Sequence, residues 1–326
     1  MSNPDRNGPR VSVIVPMRDS ESLLPGLLAS LDEQTLAPEL FEVVLVDDGS
    51  RDGTRALAAA WAAADSARRR LVAGEGRGPA AARNLGVAAA HGRWIAFTDS
   101  DTRPDSRWLE SALVALDSTG ARALEGAIGP WPEGAVDGHR VLNPTGGRYM
   151  TANMVYEREL LQRLGGFDEH FEAPFLEDSD LAFRALAAGF EIPFAPQVVV
   201  RHPVVEISPR DFLGSARKLR WLALLAAKHP DRYRNEIRPL IRPVSSIDID
   251  VALAGLAALG LPRASGLARL ACLAVAANGT RRALVSGRVL DGAGGAPARA
   301  AVSLALPFVK TFWILEGSIR FRKLVW

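Results

Sequence analysis

The sequence is nearly without cysteine. The chain has 326 residues and one cysteine, Cys272, which excludes a disulfide framework within the chain and a cysteine zinc site. Cys272 lies in the apolar stretch LARLACLAVAA, where we expect it to pack as a small hydrophobic residue. The first residues, MSNPDRNGPRVSVIVP, contain no apolar run of signal-peptide length. We therefore expect a protein of the reducing cytoplasm.

The sequence also lacks an apolar run long enough to span a bilayer. Its most apolar stretches, at 251–261, 270–277 and 300–315, are bounded or interrupted by proline and charged residues, whereas a spanning helix needs roughly 18 or more consecutive apolar residues. Their flanks are basic and the last one ends in Trp326, a pattern typical of helices lying in a membrane interface. A helical cap on the rest of the chain, or a dimer contact, explains the same pattern. We therefore treat 205–326 as a helical region with a possible role at the inner face of the cell membrane.

A dinucleotide-binding motif and a nucleic-acid-binding module are both missing. No G-x-G-x-x-G follows a predicted strand, which argues against an oxidoreductase, and we expect no nucleic-acid partner. Residues 1–200 carry 19 Lys/Arg and 29 Asp/Glu, a net of −10, whereas 201–326 carry 20 and 8, a net of +12. The acidic part suits a cation site. The basic part suits a membrane surface or a phosphate-bearing acceptor, or is simply an arginine-rich solvated surface.

Short β-branched runs alternate with helical patterns in the first part of the chain. Strands separated by helices predict βαβ units and a parallel sheet. From about residue 120 glycine and proline punctuate the pattern. We predict strands at 11–15, 41–46, 70–72, 93–97 and 198–200, and helices at 23–31, 54–64, 79–90, 108–117 (opened by Pro104), 157–164 (stopped by Gly165) and 178–188.

Acidic residues follow two of the predicted strands. Asp47-Asp48-Gly49-Ser50 comes after the second strand, and Asp99-Ser100-Asp101 after the fourth. Ligands of such sheets bind at the carboxyl ends of the strands. Two carboxylates two residues apart favour a hard cation, Mg²⁺ or Mn²⁺, although Asp and Ser are also common turn residues.

Two helix starts carry further polar groups. The segment RGPAAARNLG at 77–86 offers a phosphate its backbone N–H groups and Arg83, or is simply a capped helix. Glu177-Asp178-Ser179-Asp180 opens another helix. Its carboxylates could serve the helix N-terminus, or one of them could act as a general base.

The order of these motifs resembles the family 2 glycosyltransferases, which are inverting enzymes with the GT-A fold. The likeness runs over residues 10–202 through strand-P-x-x-D, strand-DDGS, GPAAARNLG, strand-DSD, GGFDE and EDSDLAFRALAAG. It implies an α/β fold of the GT-A nucleotide-diphospho-sugar transferase type, with a mostly parallel central sheet, flanking helices and a C-terminal helical extension. We expect a catalytic domain at 1–204, with a nucleotide-sugar half (10–118) and an acceptor half (119–204).

The resemblance also implies a role for each matching position. Many members carry Asn where Asp19 stands, and His202 could equally be structural. The implied donor-binding residues are Pro16, Asp19, Asp47, Asp48, Arg83, Asn84 and Asp99; the acceptor- or sugar-binding residues are Asn153 and Glu177; the metal ligands are Asp101 and His202; and the catalytic base is Asp178.

These roles imply metal-assisted sugar transfer from a nucleoside diphosphate donor to an acceptor hydroxyl. Asp178 would take the acceptor's proton, and a single displacement would invert the anomeric centre. We expect a glycan or lipid-linked acceptor in cell-envelope or polysaccharide synthesis. Two alternatives are a nucleotidyltransferase, which Pro16-Met-Arg-Asp19 disfavours after the first strand, and an inactive sugar-binding scaffold tethered to a membrane.

Overall fold

The computed structural model describes residues 8–135, 141–205, 208–241 and 296–325. Two compact units make up the chain. One comprises Met1–Ala135 with Arg140–Val204, and the other Val136–His139 with Val205–Trp326. The predicted stretches at 251–261 and 270–277, with Cys272, lie outside the described residues.

The first unit is built on an eight-stranded sheet in the order β3-β2-β1-β4-β7-β6-β8-β5. β1 pairs in parallel with β2 and β4, β2 with β3, and β6 with β8. β7 is antiparallel to both of its neighbours, and β5 is antiparallel to β8. The strands are β1 (Val11–Met17), β2 (Phe41–Asp47), β3 (Arg69–Ala73), β4 (Trp94–Phe97), β5 (Arg103–Pro104), β6 (Ala123–Trp131), β7 (Met154–Glu157) and β8 (Phe194–Pro203).

Helices cover both faces of this sheet, which is why its central strands read as continuous apolar runs. In β1, Val13 and Val15 pack in one apolar cluster with α1, α2 and α4, and Ile14 packs in the other with α3, α5 and α6. Gly165, at φ 78°, ends α5 as expected. The helices are α1 (Leu24–Asp32), α2 (Thr54–Ala63), α3 (Pro79–Ala89), α4 (Trp108–Thr119), α5 (Arg158–Leu164) and α6 (Glu177–Ala187).

The predicted strands and helices of this unit are confirmed to within a few residues, with three additions. β6 and β7 run through the segment that glycine and proline punctuate, and Pro104 lies in the two-residue β5 rather than opening α4. β6 contains Gly126, Gly129 and Pro130. These residues have low strand propensity, and pairing with β8 on one edge overrides that propensity.

The second unit is helical in its described part. Buried Trp221, Leu222 and Leu225 of α8 form its centre with Ile314 of α11. Gly317 of α11 lies directly against the backbone of Arg220, where a Cβ would come within 2.2 Å of the carbonyl oxygen. Among the described helices, none is long and apolar enough to span a membrane. They are α7 (Pro209–Ser215), α8 (Trp221–Lys228), α9 (Pro230–Arg232), α10 (Arg238–Ile241) and α11 (Ala296–Arg320), with a 3₁₀ turn at Ala216–Arg220 and a π-helical turn at Tyr233–Ile237.

Candidate active site

Hydrogen bonds join the loops at the carboxyl ends of β1, β2 and β4. The hydroxyls of Ser20 and Ser100 lie 2.7 Å apart, and the Ser20 amide donates to Thr54 Oγ1 at 2.7 Å. Parallel strands bring their carboxyl ends to one edge. The loop after β4, which carries Asp99 and Asp101, therefore lies beside the loop after β1.

Three predicted donor residues lie on the strands and loops around this edge. Pro16 is paired with Val46 in the sheet. Asp19, at φ 49°, accepts a hydrogen bond from the Arg51 amide at 2.7 Å. Asp47 accepts one from the Ser50 amide at 3.1 Å. Asp19 thus ties the β2–α2 loop to the end of β1, whereas Asp47 closes a turn within that loop.

Asp48 organises the loop before α3. Its carboxylate accepts three backbone N–H groups, from Gly76 at 2.8 Å, Arg77 at 3.1 Å and Gly78 at 2.8 Å. Glu172 packs on the same loop, because a Cβ on Gly78 would lie 2.4 Å from its carbonyl oxygen. These amides therefore serve a protein carboxylate, which favours the structural alternative for this helix start. A contact between Asp48 and a nucleotide base stays a prediction.

Asn84 joins α3 to the loop that follows α5. Its side-chain amide donates to the Phe167 carbonyl at 3.0 Å and to Glu169 Oε1 at 2.9 Å. Its oxygen accepts the Phe167 amide at 2.8 Å. Glu169 also pairs with Arg77 at 2.7 Å. Asn84 therefore fixes the loop after α5 to α3. Its contact with a donor stays a prediction.

Arg83 links the loop after β4 to the start of α6. Its guanidinium donates to Asp99 at 2.9 Å and to Glu177 at 2.8 Å, and the arginine is buried. Glu177 is buried as well, and desolvation raises its pKa against the opposing effect of Arg83. A buried cation held between two carboxylates fixes both acidic segments in one geometry.

Asp178 is the carboxylate of this segment that keeps an exposed surface. Desolvation, followed by the charge of Glu177, raises its pKa to about 7, while the Ser179 amide and Arg83 oppose the shift. Its neighbour Asp180 is fully buried and pairs with Arg184 at 2.9 Å. The turn before α6 places Leu176 at φ 75°, a strained backbone for a branched residue. A carboxylate with a pKa near neutrality is suited to general-base catalysis.

Asp101 and His202 face each other across the ends of β4 and β8. Their Oδ2 and Nε2 atoms lie 3.5 Å apart. The Nδ1 atom of His202 lies 3.0 Å from the Pro203 carbonyl; a proton there leaves the Nε2 lone pair directed at Asp101. Within the described residues Asp101 Oδ1 is buried without a hydrogen-bond partner. These atoms fit a divalent cation, and an oxygen-rich ligand is needed to complete its coordination.

The candidate cation ligand Asp101 interacts electrostatically with Asp99, a carboxylate that pairs with Arg83. The charge of Asp99 contributes to raising the pKa of Asp101, after desolvation, and also acts on Asp178. In the described part of the chain, no cluster of three or more His, Cys, Asp or Glu residues could hold a metal by itself. The predicted residues that the structure brings together are Arg83, Asp99, Asp101, Glu177, Asp178 and His202.

Asn153 forms a buried bridge between two strands and a helix. It accepts a hydrogen bond from Trp108 Nε1 at 2.8 Å and donates to the carbonyls of Ala127 and Val198 at 2.8 and 2.9 Å. It is 1% exposed. The side chain therefore ties β6 and β8 to α4, and its contact with a sugar stays a prediction.

Sequence reasoning missed two carboxylates that support the site. Glu169 holds Asn84 and Arg77, as described above. Glu125 is buried and accepts the amides of Gly147, Arg148 and Tyr149 at 2.6, 2.8 and 2.5 Å. Glu169 belongs to the GGFDE motif, but Glu125 has no local signal because these three amides lie 22 to 24 residues downstream.

A cavity of about 130 Å³ lies elsewhere in the first unit, between Leu31, Phe41 and Trp61. Phe41 begins β2, so this cavity is near the amino end of that strand, away from the acidic loops. None of the predicted site residues lines it. We therefore assign the chemistry to the acidic edge.

The sequence matches a family model and several known proteins. The family model for glycosyl transferase family 2 matches residues 12–176. Glycosyltransferase AglE of Haloferax volcanii is 28% identical over 60% of this chain and 67% of its own length. The pre-mycofactocin glycosyltransferase of Mycobacterium tuberculosis is 31% identical over 68% of this chain, and the succinoglycan biosynthesis protein ExoO of Rhizobium meliloti is 37% identical over 48%. The matches span about half the length of these last two relatives, 48% and 47%.

Solved structures share the fold. The mannosyltransferase PcManGT from Pyrobaculum calidifontis, in complex with GDP-Man and Mn²⁺, has a TM-score of 0.60 at 22% identity, covering 94% of this chain and 87% of its own. S. aureus TarS 1–349 in complex with UDP has a TM-score of 0.54 at 20% identity, covering 96% and 92%. These likenesses confirm the GT-A architecture. Because the family model covers half of the sequence, the chain belongs to glycosyl transferase family 2 and is a transferase enzyme.

Proposed function

We propose that this enzyme moves a sugar from a nucleoside diphosphate donor to an acceptor hydroxyl, with inversion and with a divalent cation. The observation that carries the proposal is the convergence of a partly exposed carboxylate, Asp178, with the Asp101–His202 pair. Arg83 connects their segments through Asp99 and Glu177. The buried Arg83 thus pairs with the neighbour of the base on one side and with the acidic segment of the cation site on the other.

Asp101 and His202 would hold the cation, and diphosphate oxygens of the donor would complete its ligands. The unpartnered Oδ1 of Asp101 supports this assignment. A bound Mg²⁺ or Mn²⁺ supplies positive charge that stabilises the leaving diphosphate. Donor-side contacts would come from Pro16, Asp19, Asp47, Asp48 and Asp99 on the strands and loops of this sheet edge, and from Arg83 and Asn84 of α3.

Asp178 would receive the acceptor's proton during the displacement. The acceptor oxygen forms its bond to the anomeric carbon as the bond from that carbon to the diphosphate oxygen breaks. The nucleoside diphosphate leaves with the bonding electron pair, and the proton ends on Asp178. Attack from the side opposite the leaving group inverts the configuration. Positioned general-base catalysis of this type typically gives about 10²–10⁴-fold acceleration.

The first test is donor binding. Thermal unfolding is followed with UDP-, GDP- and dTDP-sugars, each with and without Mn²⁺. A true donor at about 100 times its dissociation constant should add roughly 2.7 kcal/mol of stability, and only with the cation. Stabilisation by none of the nucleotides would contradict the proposal.

The second test is turnover, because an inactive sugar-binding scaffold would pass the first. The stabilising donor is incubated with a pool of glycan and lipid-linked acceptors, and the anomeric configuration of the product is determined by NMR. We expect transfer with inversion. Binding without transfer or donor hydrolysis would favour the scaffold.

We also propose a role in cell-envelope or polysaccharide synthesis, on a glycan or lipid-linked acceptor. Among the similar proteins are the succinoglycan biosynthesis protein ExoO and the O-antigen biosynthesis protein RfbC of Myxococcus xanthus. The basic region from residue 201 onward, with its net charge of +12, suits a phosphate-bearing acceptor or an anionic membrane.

Peripheral binding to the inner face of the cell membrane is the accompanying proposal. Four apolar side chains of α11 lie exposed at a spacing of one helix face, whereas Ile314 on the other side is buried. We call these four residues the apolar stripe: Phe308, Phe312, Leu315 and Ile319, which are 36, 59, 39 and 78% exposed.

Co-sedimentation with phosphatidylglycerol–phosphatidylcholine vesicles tests the apolar stripe. Phe312→Asp and Ile319→Asp should each reduce the bound fraction. Val114→Asp is the matched control, since Val114 is 62% exposed on α4. If the stripe variants bind vesicles as the wild type does, or if the wild type stays in solution, the stripe has another role.

A further inference from the structure

The guanidinium of Arg103 packs against two other residues, Trp131 and Gly26. It lies 3.7 Å from the centroid of the Trp131 ring. It also lies against α1, where a Cβ on Gly26 would come within 2.6 Å of Arg103 Nη2. Glycine inside a helix is unfavourable by roughly 0.5–1 kcal/mol relative to alanine. Here its missing side chain provides the space that the guanidinium fills.

Arg103 differs from comparable arginines in its lack of a counter-charge. Within the described residues no carboxylate lies within ion-pair distance of it, although it is partly buried. An arginine is always charged, and partial burial without an anion is unfavourable. Three other arginines that stack on a tryptophan each form an ion pair: Arg69 on Trp61 with Asp32, Arg93 on Trp94 with Glu157, and Arg220 on Trp313 with Glu316.

Arg103 and Trp131 lie on the two strands that flank β8, the strand of the candidate cation ligand His202. Arg103 follows Asp101 by two residues and is paired in the sheet with Arg201, the neighbour of His202. Trp131 is paired with Pro203, the residue after His202. Arg201 itself is neutralised by Asp105 and Glu133. Among the described residues Arg103 therefore has no carboxylate partner, two residues along the chain from Asp101 and opposite the neighbour of His202 in the sheet.

We propose that Arg103, held in its plane by Trp131 and Gly26, is a phosphate-recognition residue of this enzyme. Guanidinium N–H groups match the oxygens of a phosphate in a bidentate geometry, and stacking on an aromatic ring leaves those N–H edges available. The phosphate belongs either to the donor diphosphate or to a phosphate-linked acceptor sugar. This inference rests on the proposed transfer reaction and adds a residue that no motif identified.

Isothermal titration separates the two sources. In one arm, UDP and GDP with Mn²⁺ are compared with uridine and guanosine. In the other, glucose 1-phosphate is compared with methyl α-glucoside, with the nucleotide present. Arg103→Gln should weaken binding by about 10- to 100-fold in the arm to which the phosphate belongs, and only for the phosphate-bearing probe.

Two further variants separate recognition from folding. Gly26→Ala leaves Arg103 intact, favours the helix and displaces the guanidinium, so it should lower the same affinity in a stably folded protein. Arg69→Gln is the matched control, because Arg69 stacks on Trp61 but pairs with Asp32. Its affinities should equal those of the wild type.

The outcomes are distinguishable. Unchanged affinity for phosphate-bearing probes in both Arg103→Gln and Gly26→Ala overturns the inference, as does an equal loss for the probes without phosphate. A wild-type enzyme that binds no nucleoside diphosphate with Mn²⁺ instead contradicts the proposed function itself.

Discussion

At the scale of single residues, the ionisation of Asp178 has a direct consequence for rate. Its pKa is raised to about 7 from an ordinary 3.8, first by desolvation and then by Glu177. The deprotonated fraction of Asp178 therefore increases as the pH rises through about 7. We expect kcat/KM to increase over this range, with an apparent pKa belonging jointly to Asp178 and Glu177. A rate that is flat between pH 5.5 and 8.5 would argue against Asp178 as the base.

Asp178→Asn tests the same residue by substitution. The amide has no proton-accepting carboxylate, so kcat should fall by about 10²–10⁴-fold and the rise with pH should disappear. A folded-state pKa above the unfolded value means that stability present at low pH is lost as the pH rises toward 7. The variant should consequently unfold at no lower temperature than the wild type at pH 8. A low melting temperature would mean that lost activity reflects misfolding.

Glu42 has the opposite shift, far from the site. It accepts the Ser12 hydroxyl and the His91 amide, both at 2.6 Å. Desolvation acts to raise the pKa of Glu42, but these bonds together outweigh it and lower the pKa below the ordinary 4.5. Its contribution to stability is present above that ordinary value and is lost as the pH falls below it.

Glu42→Gln should therefore destabilise the first unit at pH 7 by about 1–3 kcal/mol without changing donor affinity. Urea unfolding at pH 7 and pH 4 checks this, and the difference from the wild type should shrink at the lower pH. An equal difference at both values would show that the charge of Glu42 is not the cause.

The site itself was predicted in part at this scale. Asp99, Asp101 and Asp178 were identifiable because each lies in a short motif next to a strand or helix end. Their partners were not, since the pairing of Arg83 with Glu177 joins residues 94 positions apart and depends on how α6 packs. For the same reason Asp48 could be marked as important, but its three amide partners could not be foreseen.

At the scale of elements, α3 packs directly on the sheet through a glycine. A Cβ on Gly86 would lie 2.4 Å from Ile14 Cγ2 and 3.2 Å from Val46 Cγ2. Gly86→Ala should therefore destabilise the protein by about 1–3 kcal/mol through overpacking, despite the better helix propensity of alanine. Gly214→Ala in α7 meets no atom within 4 Å and should be neutral or slightly stabilising in the same unfolding experiment. Equal stability of the two variants would contradict this packing.

The elements that sequence predicted best were those whose pattern is local. β1, β2 and β4 are continuous apolar runs because both their faces are covered. β7 is only four residues long and ends in Glu157, so nothing in its own sequence distinguishes it from a loop. Its position between β4 and β6 is determined by pairing with strands distant in sequence. The periodicity of apolar residues does not reveal such pairing.

At the scale of the whole molecule, charge is divided along the chain, with a net of −10 before residue 201 and +12 after it. If the basic part contacts anionic lipid, binding should be sensitive to ionic strength. Raising salt from about 50 to about 500 mM should lower vesicle binding at least about tenfold. Binding that is insensitive to salt would assign the interaction to the apolar stripe alone.

The pair formed by Asp101 and His202 has a thermodynamic consequence for how the enzyme would load. Two side chains are too few to coordinate Mg²⁺ or Mn²⁺ tightly. The bound nucleotide would therefore complete the coordination of the cation, and the bound cation would complete the binding site of the nucleotide. Reciprocity then requires that nucleotide strengthen Mn²⁺ affinity by the same factor by which Mn²⁺ strengthens nucleotide affinity. Such an enzyme would release its metal between turnovers. Its rate would then depend on the concentrations of the cation and the nucleotide donor together, rather than on either one alone.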